Sequence, residues 1–183
     1  MELGHNRLVH VVDDDPSLRV AMERRLKQAG YAVATYASAQ QLLDNMPSDT
    51  GPSCILLDVQ MPGLDGPALQ ARLAELGSAL PIIFISGHTD IPVTVRTIKA
   101  GAHDFLSKPV ASDELLHAIE KALAHHLTSR DQQSALDDIR ARIAKLTPRE
   151  RQVFDLVVAG KQNKGIAFAL DASIRTIKAH RGR

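Results

Sequence analysis

The sequence predicts an α/β fold: a doubly wound, five-stranded parallel sheet, followed by a linker helix and a small all-α segment. Three observations point there. Short apolar or β-branched runs alternate five times with helical stretches up to residue 127. Two of these runs, LVHVV (8–12) and CILLDV (54–59), lack the polar alternation of a half-solvated strand and suit strands buried on both faces. Beyond residue 127 the strand pattern stops and only helical spacing remains.

Each element has its own reason. LVHVV (8–12) is the first strand. Residues 16–30 place Leu18, Met22 and Leu26 at helical spacing, with Pro16 near the start and Gly30 as the stop. AVATY (32–36) reads as a strand, and 38–46 as a helix capped by Ser38. CILLDV (54–59) is a strand ending beside a carboxylate, and 66–76 is helical. PIIFIS (81–86) is a strand, 91–101 a helix closed by Gly101, and DFLS (104–107) a short strand. Residues 112–127 form a helix capped by Ser112, with Leu115, Leu116, Ile119 and Leu123 on one face. Strand-helix alternation of this kind makes βαβ units with helices on both faces of a parallel sheet.

Composition limits the function classes. The chain has 183 residues, of which 44% are hydrophobic, so it can build a real core. Trp is absent and aromatics are 3%, so that core is aliphatic. Cys54 is the lone cysteine, so no intramolecular disulfide can form, which fits a reducing compartment. The N-terminal residues show no apolar core of signal-peptide type, and no run approaches membrane-spanning length. The expected location is the cytoplasm, without a membrane partner. The net charge of +1 hides an asymmetry: residues 1–127 hold 10 Lys+Arg against 15 Asp+Glu, whereas 128–183 hold 12 against 6. An acidic body with a basic tail suggests a second module with an anionic partner, although a solvated basic helix would look the same.

In a doubly wound sheet, ligands bind outside the carboxyl ends of the strands. Asp13 and Asp14 follow the first strand, Asp58 the third, Ser86 the fourth and Lys108 the fifth. A run of acids in a loop is usually a solvated turn, and a lone Lys-Pro usually just a loop. Four such groups at matching strand ends favour a site. The chemistry that fits is a hard cation, Mg²⁺ or Mn²⁺, plus a phosphoryl group. Asp13 and Asp14 would hold the metal, Asp58 would act as nucleophile, and Lys108 and Ser86 would contact phosphoryl oxygens. Asp15 precedes Pro16 and suits a helix cap.

VVDDD (11–15), LLDVQMPGLDG (56–66), ISGH (85–88) and KAGAHDFLSKP (99–109) together resemble a response-regulator receiver domain over residues 8–127. The resemblance implies a flavodoxin-like fold in which Asp58 accepts phosphate from a histidine-kinase phosphohistidine. It implies Mg²⁺ binding by Asp13, Asp14, Asp58 and the Gln60 carbonyl. It implies that Lys108 contacts the phosphoryl group, that the Lys108–Pro109 peptide is cis, and that Ser86 and Phe105 form a switch pair. The stretch around 86–105 is similar to the FixJ-type branch, which implies a dimer face including Val95, Lys99 and Asp104.

From 128 to 145 there is no Pro or Gly, and Leu136, Ile139, Ile143 and Leu146 follow a 3-4-3 spacing. That is a seam for a coiled coil or, over so short a length, for docking on its own protein. In 146–161, Thr147, Pro148 and Glu150 form a capping box, Val153, Phe154, Leu156, Val157 and Val158 the buried side, and Gly160 the stop. A short helix at 163–170 capped by Asn163, a turn, and a basic helix at 174–183 capped by Ser173 make a helix-turn-helix pattern. The basic helix carries Arg175, Lys178, His180, Arg181 and Arg183. Residues 146–183 resemble the LuxR-type DNA-binding domain, which implies major-groove entry by this helix and makes Arg175, Lys178, His180 and Arg181 candidates for DNA contact. Two residues depart from the pattern: Asp171 stands where Gly usually ends the second helix, and Gly165 sits inside that helix. The family's pattern also runs on past Arg183, so the reader is expected to be C-terminally incomplete.

The expected organisation is a receiver at 1–127, a linker helix at 128–145 and a LuxR-type reader at 146–183. The expected function is that of a FixJ/NarL-type response regulator, not an enzyme. A sensor histidine kinase would phosphorylate Asp58, and phosphorylation would control homodimerisation and binding to promoter DNA. One alternative is a receiver acting through protein contacts only, with a non-functional tail. Another is an Mg²⁺-dependent phosphatase or phosphotransferase, for which no substrate-pocket motif is visible.

Overall fold

A computed structural model of the chain describes residues 7–47, 51–87 and 91–181. His88 and Arg183, named above, lie outside them. The chain divides into two compact units, Met1–Asp131 and Gln132–Arg183.

The first unit is a five-stranded sheet whose paired strands all run parallel: β1 (Leu8–Val12), β2 (Ala32–Tyr36), β3 (Ser53–Asp58), β4 (Ile82–Ser86) and β5 (Asp104–Ser107). The order is β2-β1-β3-β4-β5. Between the strands lie α1 (Pro16–Gln28), α2 (Ala39–Asp44), α3 (Gly66–Glu75) and α4 (Ile91–Lys99), and α5 (Ser112–Ala144) follows β5. β3 and β4 sit one residue from the expected bounds, because the ladder pairs Leu8 with Ser53 and Ile55 with Ile82.

Strand periodicity divides the core into two layers. Val9, Val11, Leu56, Ile83 and Ile85 pack with Met22 and Leu26 of α1 and with Leu115, Ile119 and Leu123 of α5. Val12, Ile55, Leu57 and Phe84 face the other way and pack with Leu42 of α2 and with Leu69 and Leu73 of α3. Both faces of the central strands are therefore covered, which explains why their sequences hardly alternate. Asp15 caps α1 by accepting from the N–H groups of Ser17 (2.8 Å) and Leu18 (3.4 Å), as its place before Pro16 suggests. Gly30, at φ 91°, closes the same helix: the Tyr31 N–H bonds back to Leu26 O at 3.1 Å.

The helix expected over 112–127 and the linker expected over 128–145 form one continuous helix, α5, of 33 residues. With neither Gly nor Pro between them, nothing interrupts the backbone ladder. The expected docking of the seam does not occur at its start: Leu136 and Ile139 are 49% and 52% exposed.

The second unit also contains α6 (Pro148–Val158), α7 (Asn163–Ala169) and α8 (Ile174–Arg181). The capping box forms, with Thr147 taking the Glu150 N–H and the Glu150 carboxylate taking that of Thr147. Val153, Ile166, Ala167 and Ile177 make a small core. Val158 is a correction: it is 71% exposed, because it lies on the last turn of α6, off the face formed by Val153, Leu156 and Val157. Asn163 is another. The cap of α7 is Gln162, without a side-chain bond, and the Asn163 side chain instead accepts from Arg181.

Candidate functional site

The strand order reverses at β1 and β3, and there the crevice beyond the carboxyl ends opens. Asp13 follows β1, Asp58 ends β3, and Lys108 follows β5. The Lys108 ammonium donates to Asp13 Oδ2 at 2.9 Å and to Asp58 Oδ1 at 2.7 Å. Both carboxyl groups are buried, at 3% and 8% residue exposure. Backbone N–H groups aim them: Asp15 N donates to Asp13 Oδ1 (2.8 Å) and Gln60 N to Asp58 Oδ2 (3.0 Å). Each of these two carboxylates thus has one oxygen fixed by the chain and the other turned towards the same cation.

Burial raises the Asp58 pKa from the ordinary carboxylate value; the hydrogen bond and charge of Lys108 oppose it, and the charge of Asp13 adds to it. For Lys108, burial pulls the pKa down, but the hydrogen bonds and charges of Asp58 and Asp13 outweigh it and leave it raised. Both values are raised: Lys108 gains from two carboxylates, whereas Asp58 is buried and has only a shared ammonium to offset that burial. The pocket holds a surplus of negative charge.

Asp14 is exposed, and its side chain is not among those held by Lys108. Gln60 is exposed next to Asp58. Ser86 is buried at the end of β4, and its carbonyl takes the Lys108 N–H at 2.7 Å. Phe105 is half-buried, its ring stacked on Phe84 at 6.3 Å between centroids. The Lys108–Pro109 peptide is cis. Among the described residues no three acidic, His or Cys side chains close on one point as a ready metal cage. The donor set nonetheless suits Mg²⁺, which prefers oxygen ligands, needs only one or two carboxylates and keeps several waters.

Two supports were not visible in the sequence. Arg19 Nη1 donates to the Asp13 carbonyl at 2.6 Å and braces the loop carrying the acids. Nothing in the helical pattern of α1 distinguishes it from a solvated arginine. Gly66 brings α3 against the end of β3: a Cβ there would lie 2.4 Å from the Asp58 carbonyl oxygen and 2.9 Å from a Phe84 ring carbon. The sequence shows only a glycine opening the helical stretch at 66.

Val95 is 45% exposed, Lys99 is exposed, and Asp104 is half-buried with Oδ1 taking the Phe105 N–H. Ile91 and Ile98 extend the apolar strip of α4, at 69% and 43% exposure. On α8, Arg175 and Lys178 are exposed and His180 is half-buried, while Arg181 bonds to Asn163.

The sequence profile of the response regulator receiver domain matches residues 9–120, and that of the bacterial regulatory proteins of the luxR family matches 144–183. The chain belongs to the response-regulator family. It is a FixJ/NarL-type regulator, a receiver joined to a LuxR-type DNA-binding domain. This response regulator is 40% identical over 178 residues to the transcriptional regulatory protein FixJ of Bradyrhizobium diazoefficiens, covering 97% of this chain and 85% of that one. It is 41% identical to nodulation protein W of the same organism, covering 99% of this chain and 79% of that protein. Among solved structures, the response regulator StyR superposes with a TM-score of 0.83 at 39% identity, over 97% of this chain and 89% of that one. This response regulator is therefore a transcription regulator, and no described helix is long and apolar enough to cross a membrane.

Proposed function

We propose that Asp58 is the phosphoacceptor of this regulator and that its phosphorylation by a sensor histidine kinase controls the output of residues 146–183. The observation that carries the reading is the convergence of Asp13 and Asp58 on Lys108 at the switch point of the sheet.

The Asp58 carboxylate attacks the phosphorus of a phosphohistidine, forming a P–O bond as the P–N bond to the imidazole breaks. The N–H of Gln60 holds Oδ2, so Asp58 presents Oδ1 to the pocket. Lys108, already between the two acids, follows the negative charge onto the phosphoryl oxygens. Ser86, at the end of β4, takes another of them and Phe105 follows into the space it leaves; this is a local charge change biasing a bistable element. Mg²⁺ or Mn²⁺ held by Asp13, Asp14, Asp58 and the Gln60 carbonyl would neutralise the phosphoryl charge. Beside Lys108 and Pro109 an apolar cleft of roughly 460 Å³ opens between α1 and the loop to α5, lined by Leu18, Met22 and Val110.

We further propose that phosphorylation pairs two receivers through Val95, Lys99 and Asp104, and that Arg175 and Lys178 then meet DNA, partly at phosphates. Acetyl phosphate with Mg²⁺ should label the full chain with one acid-labile phosphate, and Asp58→Asn should abolish it. A fully labelled Asp58→Asn variant would overturn the assignment. Millimolar Mg²⁺ should also raise the melting temperature by mass action, and less so in Asp14→Ala.

A further inference from the structure

At the opposite edge of the sheet, two histidines that the phosphoryl chemistry does not use lie side by side. His103 immediately precedes β5 and His125 lies on α5. Their ring centroids are 5.3 Å apart, with the planes tilted by 48°. Two imidazoles bound to a common tetrahedral metal, with metal–nitrogen bonds of about 2.1 Å, have ring centres roughly 5 Å apart. The observed separation therefore leaves room for one ion between the rings. The last side-chain torsion of histidine is broad and roughly two-fold, so ring nitrogens can turn inward without moving the backbone.

Both backbones are fixed. The His103 N–H donates to Ile82 O at 2.8 Å. Next to His125, the His126 side chain is buried and its Nδ1 takes the Ser53 N–H at 3.1 Å, while Leu123 and Ala122 anchor α5 in the core. The charged groups acting on His103 besides His125 are Asp104 and Lys121, of opposite sign. Burial first, and then His125, lowers the His103 pKa, which keeps the imidazole neutral and able to bind a metal near neutral pH.

We propose that His103 and His125 form a two-imidazole site for a borderline transition-metal ion such as Zn²⁺, completed by water and separate from the carboxylate pocket. The ion ties the start of β5 to α5. Imidazole donors select Zn²⁺, Ni²⁺ or Cu²⁺ over the Mg²⁺ that carboxylates prefer. Nothing in this site depends on phosphorylation of Asp58, so the two readings stand or fall apart.

The test is calorimetric titration of the full chain with Zn²⁺ in excess Mg²⁺, which competes at the carboxylates. Ring-proton NMR of the histidines is read in parallel. His103→Gln and His125→Gln should each weaken the strongest Zn²⁺ binding at least tenfold, and both ring signals should shift together in the wild type. His117→Gln, an exposed histidine on α5, should leave binding unchanged. Lowering the pH should weaken metal binding, because protons compete with the ion for imidazole nitrogens. Wild-type affinity equal to that of His125→Gln, or an equal loss in His117→Gln, would overturn the site. Circular dichroism of each variant checks that lost binding is not lost folding.

Discussion

His10 lies in the middle of β1 with 2% of its surface exposed, and its Nδ1 shares a hydrogen bond with the Tyr36 hydroxyl at 3.1 Å. Its Nε2 finds no partner among the described residues. Burial pushes its pKa from 6.5 down to about 4, so the folded protein holds it neutral. Between these values the unfolded chain binds the extra proton. Stability from this residue is thus complete above pH 6.5 and lost as pH falls towards 4, by something of the order of 3 kcal/mol. Melting temperatures at pH 7 and pH 4.5 should differ less in His10→Leu than in the wild type. Equal acid sensitivity in both would place the effect elsewhere. At the same scale Gly66 is irreplaceable for a steric reason: Gly66→Ala should cost about 1–3 kcal/mol, since the colliding atoms are backbone and a buried ring. It should also slow labelling of Asp58, whose carbonyl must give way.

Among the elements, α7 is the least well made. It is 7 residues long, its cap Gln162 provides no side-chain bond, and Gly165 sits within it. Its end is closed by Asp171 at φ 47°, with the Ala172 N–H returning to Ala167 O at 2.9 Å. That closing geometry favours glycine. A Cβ at Gly165 meets nothing within 4 Å. Gly165→Ala and Asp171→Gly should each stabilise the second unit by about 1 kcal/mol, the first by helix propensity and the second by relieving the left-handed conformation. Gly165 lies within α7 and Asp171 just beyond its C-terminal end, so their sum is expected to fall somewhat short of additive. Thermal unfolding followed by circular dichroism reads both.

At the scale of the whole molecule, the charge division matters most. An acidic receiver with a pocket of surplus negative charge is joined to a basic segment, +6 over residues 128–183. Phosphorylation adds charge at one sheet edge, and the proposed response is pairing through α4 and β5. Pairing would place two basic helices on one duplex, raising effective concentration without a new base contact. Sedimentation of the full chain should show a monomer that shifts towards dimer with a phosphoryl mimic, and Val95→Glu should prevent the shift. A monomer in both states would refute the dimer route and leave release of an inhibitory contact as the mechanism.

The sequence by itself determined the alternation of strands and helices, the capping box at Thr147, the turn at Asp171 and the presence of acids at successive strand ends. These follow from local rules: period, propensity and cap chemistry act within a few residues. Only the tertiary structure decided which of those acids meet. Asp13 and Asp58 share Lys108 because β1 and β3 are neighbours in the sheet, whereas Asp14, adjacent in sequence to Asp13, is exposed. The close approach at Gly66 and the pairing of His103 with His125 were likewise invisible, since each joins residues that only the packing of helices on the sheet brings together, and the brace from Arg19 because an arginine one turn into a helix carries no mark of which way it folds back. The exposure of Val158 and Leu136 was missed for the converse reason: an apolar residue at the right spacing is buried only if a partner surface exists to cover it.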